Sequence, residues 1–377
     1  MPVDTDQYLG WVALTLTPGL GSRTSGKLLR AYGGPEAIFR ASLTELESHR
    51  LPAAVAQEIF SKRPFAAAAE ELKQVERLGC KLVHWDEPSY PQALLQIYDP
   101  PPLLYVLGNV EVLAKYTLSI VGARRPSTYG NLMSERLGRD LAARGLAIVS
   151  GLARGIDACA HQGAISSIAG ETIAVLGTGV DVIYPKENKK LFGTIQERGA
   201  VISEFPLGTF AGAQNFPIRN RVIAGMSLGT ICVEGGQYSG SLITSRLAME
   251  FGREVFAVPG NVTQPTAFGP NLLIKQGAKL VTGWEDVVEE LPTAVRAEIL
   301  SAKPVEADER NLLVQDSLSP GHRLLYGLLK VDFAVQIDEL VESSGLTSSE
   351  VLAWLFELEI KGLVRQLPGK QFLKVLL

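Results

Sequence analysis

The chain has 377 residues, 46% hydrophobic and 20% charged, with a formal net charge of −4. That length exceeds one ordinary core and implies two or three domains, and the charge excludes a protein coated in positive potential for duplex DNA. No apolar run approaches the roughly 18 residues of a membrane span, and three scattered cysteines (Cys80, Cys159, Cys232) offer neither a disulfide framework nor metal-ligand spacing.

Taken in chain order, residues 1–65 read as a small all-helical domain. "TPGLGSRTSGKLL" sets Pro18, Gly19 and Gly21 in a turn before a helical run, and "AYGGPEAIF" supplies a second stop and start. The Gly-Leu-Gly turn has two readings. It is either a helix-hairpin-helix that offers N–H groups to phosphate or, more commonly, a tight αα-turn needing glycine for positive φ. The alanine-rich run 65–78 reads as one longer helix.

From Cys80 to about Leu291, short β-rich runs alternate with amphipathic segments. The runs are "LSIV" (118–121), "LAIV" (146–149), "TIAVLG" (172–177), "AVIS" (200–203), "TICVE" (230–234), "EVFAVPG" (254–260) and "KLVTG" (279–283). Strands without polar alternation are buried on both faces, which makes this an α/β domain of the extended Rossmann type, a doubly wound, mostly parallel sheet. Residues 292–317 gain charge and lose the pattern, as a linker with one helical piece does. After Leu318, three helical segments and two short β runs around Pro368-Gly369 predict a winged-helix domain. The boundaries are set at 1–65, 66–295, a linker over 296–317, and 318–377.

Ligands of an open α/β sheet bind beyond the carboxyl ends of its strands. The segments there are "GARRPSTYG" (122–130), "GLARGIDA" (151–158), "GTGVDVIYPKENKKLF" (177–192), "EFPLGTFAGAQNFPIRNRVIAG" (204–225) and "EGGQYSGSLITS" (234–245). They bring Arg124, Arg125 and Ser127 to one edge, with Gly151, Arg154 and Gly155. Lys186, Lys189 and Lys190 follow, then Arg219, Asn220 and Arg221, and finally Ser239, Gly240 and Ser241. Arginine offers a planar fork suited to phosphate, and small neighbours leave room for a ligand.

Each residue also has an ordinary reading. The glycines permit close packing, Asp157 faces a helix dipole, His161 is a packed histidine, and the lysines open a solvated helix. Of the aromatics near these turns (Tyr129, Tyr184, Phe192, Phe216, Tyr238), several are candidates for stacking bases, while Phe216 is expected in the core. Residues 115–290 carry 17 basic against 15 acidic side chains, the only segment with a positive balance. A nucleic-acid site is therefore a focused groove there.

No GxGxxG follows the first strand and no GxxxxGK[ST] occurs, so neither a dinucleotide nor a P-loop nucleotide is supported. A site rich in Arg, Lys, Ser and Gly without an evident base or nucleophile holds phosphate and does not cleave it. No cofactor, metal or catalytic residue is expected.

The runs "VGARRPSTYG", "VSGLARGIDACAHQGA", "IAVLGTGVDVIYPKENKKLF", "FPIRNRVIAG" and "SGSLITSRLAMEFGREVFAVPGN", in this order, resemble the DNA-processing protein A family (DprA, also called Smf). The resemblance is dense over about 80–295 and looser in the flanking domains. It implies a non-enzymatic protein that binds single-stranded DNA, forms a homodimer through its Rossmann domain, and helps load RecA recombinase during natural transformation. Carried over by motif, Arg124, the Lys186, Lys189 and Lys190 cluster and Arg219–Asn220–Arg221 would contact the backbone. Gly151, Arg154, Gly155 and Ser239–Gly240–Ser241 would line the pocket. The motif does not say which lysine matters most.

A rival reading is a nucleotide-derived ligand-binding protein or a phosphoribohydrolase-like enzyme on the same Rossmann variant. Such enzymes carry a catalytic glutamate where this chain has Ile243. The Met-Pro-Val-Asp-Thr-Asp start lacks a signal peptide's basic and apolar segments, so a cytoplasmic location is expected. The helix expected over 347–362 carries Glu350, Glu357 and Glu359 with one base, Lys361, which argues against DNA recognition by the winged helix. Its Leu352, Leu355, Phe356 and Leu358 exceed one core face, so part of that surface, with Trp354, is expected to meet protein.

Overall fold

The structure is a computed structural model that describes residues 5–301, 318–329, 334–360 and 363–374. Residues 302–317 of the linker expected over 296–317, the N-terminal residues 1–4, Lys361 and the last expected β residues, 375–377, lie outside the described residues. The central sheet holds β1 (Lys81–His84), β2 (Leu103–Gly108), β3 (Thr117–Val121), β4 (Ala147–Ser150) and β5 (Thr172–Val175). It continues with β6 (Ala200–Ser203), β7 (Gly229–Cys232), β8 (Glu254–Ala257) and β9 (Lys279–Leu280). Their spatial order is β1-β2-β6-β5-β4-β3-β7-β8-β9. From β6 to β9 every neighbouring pair is parallel, and β1 and β2 add an antiparallel edge beside β6.

The seven expected β runs are therefore strands, and β3 to β7 are buried at every position, as strands covered on both faces must be. The chain order reverses between β3 and β7, which opens the carboxyl edge there. Strands β1 and β2 lie outside the runs picked from sequence. "KLVH" is only four residues long with polar ends, and "LLYVLG" follows a proline cluster that reads as loop.

Two domain boundaries differ from expectation. The N-terminal helices share one apolar core with the sheet: Trp11, Ile38, Val55 and Ile59 join Leu82, Tyr105 and Val201. Trp11 stacks on His84 of β1, with ring centroids 4.4 Å apart. Residues 296–301, expected in the linker, are helical. The Thr293–Ser301 helix buries Val295 and Ile299 in the second core, beside Leu137 and Val288, so the Rossmann body runs to residue 301. The Gly-Leu-Gly turn is an αα-turn with Gly19 at φ 77°, its side toward Val55.

Behind the carboxyl edge, His161 on the Ile156–Ser166 helix is sealed from solvent. Thr172 Oγ1 donates to the Ile148 carbonyl (2.6 Å), so its 2.6 Å contact with His161 Nδ1 requires that nitrogen to carry the proton. Burial pushes the imidazole down to about 3, below its ordinary 6.5. The sign follows. Above pH 6.5 both folded and unfolded chains are neutral at this site, and stability is unaffected. As pH falls from 6.5 towards 3, the unfolded chain binds a proton that the folded chain refuses, and stability declines by up to about 1.4 kcal/mol per pH unit. Urea titrations should show this decline, and His161→Asn should make it shallower between pH 6 and 4. Equal slopes in the two proteins would contradict the assignment.

The C-terminal residues form a winged helix. The Pro320–Leu328, Ile337–Ser344 and Ser348–Ile360 helices pack on a sheet ordered β10 (Val335–Gln336), β12 (Gln371–Lys374), β11 (Val364–Leu367). Val351, Leu355 and Leu358 fill the core with Leu325, Leu340 and Phe372. Leu352, Phe356 and Ile360 stay exposed on the same helix, while Trp354 is half-buried beside His322.

Candidate nucleic-acid interface

The turn after β4 is held from beneath by two buried side chains of opposite charge, each bonded to the backbone. The Asp157 carboxylate accepts from the Gly151 N–H (3.1 Å) and the Ala153 N–H (3.4 Å). Arg219 Nη1 donates to the Gly151 carbonyl (2.7 Å) and to the Val175 carbonyl at the end of β5. Both side chains are almost wholly buried. Burial raises the Asp157 carboxyl against the opposing pull of Arg219, and lowers the Arg219 guanidinium to about 10. At neutral pH the guanidinium is therefore still charged. Gly151 leaves room for Arg219: a Cβ there would stand 2.4 Å from Nη1.

Above this clamp lies a pocket lined by Arg124, Gly151, Arg154, Gly177, Tyr184, Phe216 and Arg219. Phe216 is half-buried and forms one wall. The Arg124 guanidinium sits 5.6 Å from its ring centroid, and the Tyr184 ring 5.6 Å away at 35°. Two aromatic rings and exposed guanidinium groups thus share one concave surface. Arg125, Lys186, Lys189 and Lys190 stand exposed near it in sequence and form no ion pair among the described residues. Arg154 is tied to Glu187, and Asn188 Nδ2 donates to the Leu152 carbonyl (2.9 Å). The segments after β4 and β5 are thereby stapled into one wall.

The sequence-derived site is thus divided. Arg124, Gly151, Arg154 and Arg219 meet in the pocket, but Arg219 is its floor, committed to two carbonyls. Asn220 accepts from Arg219 Nε at 3.2 Å and serves that floor. Gly155 lies behind the wall, capping the Ile156–Ser166 helix. Arg221 points away from the pocket. It is buried against Glu204 and Asp99 and donates to Ser22 Oγ (3.0 Å), tying the N-terminal helices to the sheet. Asp99 lies 122 residues away and Glu204 17, and no local signal announced either as a partner.

Ser127 also turns elsewhere. It caps the Thr128–Ala142 helix and gives its N–H (2.9 Å) and hydroxyl to Glu234. Ser239, Gly240 and Ser241 are absent from the lining of the pocket and form the start of the Gly240–Glu250 helix after β7, with Ser239 Oγ accepting from Ser241 N (3.3 Å). Phe216 was expected in the core and is a pocket wall. Phe192 is the buried one, Tyr129 donates to the Pro259 carbonyl (3.1 Å) in a neighbouring cavity, and Tyr238 is 93% exposed, outside the pocket. Glu187 was not singled out from sequence, although an acid among three lysines was visible there.

A family model described as DNA recombination-mediator protein A matches residues 81–292, and one described as the DprA winged helix domain matches 313–370. Protein Smf of Escherichia coli (strain K12) is 39% identical over 314 residues, 82% of this chain and 82% of its own length. The DNA processing protein DprA of Bacillus subtilis (strain 168) is 41% identical over 237 residues, 63% of this chain and 78% of its own. Among solved structures, the X-ray structure of DprA from Streptococcus pneumoniae matches with a TM-score of 0.67 and 35% identity, covering 78% of this chain and 99% of that one. A DprA structure from Helicobacter pylori, titled for its single-stranded DNA binding mode, matches with a TM-score of 0.51 and 27% identity over 56% of this chain and 97% of that one. The chain belongs to the DNA recombination-mediator protein A family, DprA/Smf.

Proposed function

We propose that this protein binds single-stranded DNA along the carboxyl edge of its Rossmann sheet, as a recombination mediator that does not turn its ligand over. The observation that carries this reading is the pocket itself, where the exposed Arg124 and Arg154 guanidinium groups share one concave surface with two aromatic rings. In this reading Arg124 and Arg154, with the exposed Arg125, Lys186, Lys189 and Lys190 of the same segments, take phosphates, and Tyr184 and Phe216 take bases. A duplex hides its base faces, so stacking on those rings favours the single strand.

The carboxylates and the histidine nearby are occupied. Asp157 holds two backbone N–H groups, Glu234 holds Ser127, and His161 is sealed in the core. No acid occurs in "SGSLITS" (239–245), where the phosphoribohydrolase-like rival carries its glutamate. Family membership supports the finer reading, in which the protein protects an incoming strand and helps load RecA during natural transformation. Exposed Val262, Phe268 and Leu280 near the β8–β9 edge support a homodimer through the Rossmann domain. The winged helix, with an acidic and apolar helix in place of a basic one, is read as a protein-facing module.

Fluorescence anisotropy with a short labelled oligothymidylate tests this. Affinity should exceed that for the matching duplex, and log K should fall against log salt with a slope near −3 if roughly four phosphates are neutralised. Arg124→Ala should weaken binding and flatten the slope by about 0.7. A chain ending at Ser301 should stay within about tenfold of the full chain. Equal affinity for duplex would defeat the single-strand reading, and release of free base from AMP would promote the enzyme.

A further inference from the structure

One acid interrupts the basic rim of the pocket. In "KENKK" (186–190), Glu187 is flanked by Lys186, Lys189 and Lys190, and its Oε1 accepts from Arg154 Nη2. Both side chains are 60% exposed, so the pair is open to an arriving ligand. Beside it, Asn188 donates to the Leu152 and Ala153 carbonyls (2.9 and 3.3 Å) and independently holds the same turn against the same loop. The turn therefore does not depend on Glu187 alone for its place. Arg124, Arg125 and the three lysines have no ion pair among the described residues, whereas Arg154 has one.

A carboxylate on a guanidinium presents the charge and the paired oxygens that a phosphate presents. We propose that Glu187 is a built-in competitor for the strand: it occupies Arg154 in the free protein and is displaced by a DNA phosphate. This rests on the single-strand reading of the pocket. An exposed pair is weak and screened by salt, so a strand already held by Arg124 and the lysines displaces Glu187 readily. A small anion that depends on Arg154 alone meets a guanidinium already in use. Glu187 thus sets affinity downward and favours a polyanionic strand over free phosphate.

The test is a double-mutant cycle in the full chain, read by oligothymidylate anisotropy across a salt series, with folding checked by thermal unfolding. Glu187→Gln keeps the shape and an accepting oxygen but removes the charge. It should tighten strand binding about threefold to tenfold at low salt, and the gain should shrink as salt rises, because the exposed pair it removes is itself screened. In an Arg154→Ala background, Glu187→Gln should change affinity less than twofold, because the contested group is gone. A gain that survives in that background would show a general field effect and overturn the proposal. An unchanged or weakened Glu187→Gln would overturn it too. Arg124→Ala, run in parallel, separates the two failures. If it weakens binding while Glu187→Gln does nothing, the competitor idea alone falls; if neither variant changes anything, the pocket is not the DNA site and both fall.

Discussion

Arg219→Ala should lower the unfolding free energy by about 2–4 kcal/mol, the order expected when a buried charged donor of two hydrogen bonds is removed. The loss has two sources. Asp157 would remain buried with its main counter-charge gone, and the Gly151 and Val175 carbonyls would lose their shared donor. Chemical denaturation measures it. Single-strand affinity should fall as well, as a consequence of the collapsed floor, in contrast to Arg124→Ala, which should weaken binding while leaving stability within about 0.5 kcal/mol. If Arg219→Ala were as stable as the parent and merely bound DNA less well, Arg219 would be a phosphate ligand and its place as a floor would be wrong.

Gly155→Ala carries the second large effect. Gly155 sits at φ 75° and ψ −126°, a conformation that side chains avoid, and a Cβ would lie 2.4 Å from the Ala123 carbonyl oxygen. That oxygen also accepts from the Ile156 N–H at 3.2 Å, so it cannot move aside without losing a hydrogen bond. Strain and clash together should cost about 3 kcal/mol or more. The turn after β3, which carries Arg124, and the turn after β4, which carries Arg154, touch at this point, so DNA binding should be lost in parallel. Gly33 is the control, with φ 80° and open space around its Cβ, and Gly33→Ala should cost only about 1 kcal/mol. Similar costs at the two glycines would mean that the turns do not meet as described.

These expectations show what the sequence made legible. Runs such as "LAIV" and "AVIS" have no polar alternation, which is the signature of strands buried on both faces, and each sits where a strand is found. Once the strands are known, the carboxyl-end rule points to the segments that hold Arg124, Arg154 and Lys186. Side-chain direction was harder to read. At 3.6 residues per turn, positions two apart lie about 200° apart around a helix, so Arg219 and Arg221 cannot share a face of the Asn215–Met226 helix. That signal was available, but Pro217 obscured where the helix begins. The partners of Arg221 were beyond reach, because Ser22, Asp99 and Glu204 come together only through tertiary packing. The same holds for Phe216, whose apolar character suggests a core while the pocket uses it as a wall.

The most direct test of the central claim is photo-crosslinking of an oligothymidylate carrying 4-thiothymidine to the full chain, with the sites mapped by mass spectrometry. The account predicts crosslinks at Tyr184 and Phe216 and in the segments 151–155 and 186–190, all lost when unlabelled single strand is added in excess. Crosslinks confined to the winged helix over 348–374, or to the Gly19–Ser22 turn, would contradict it.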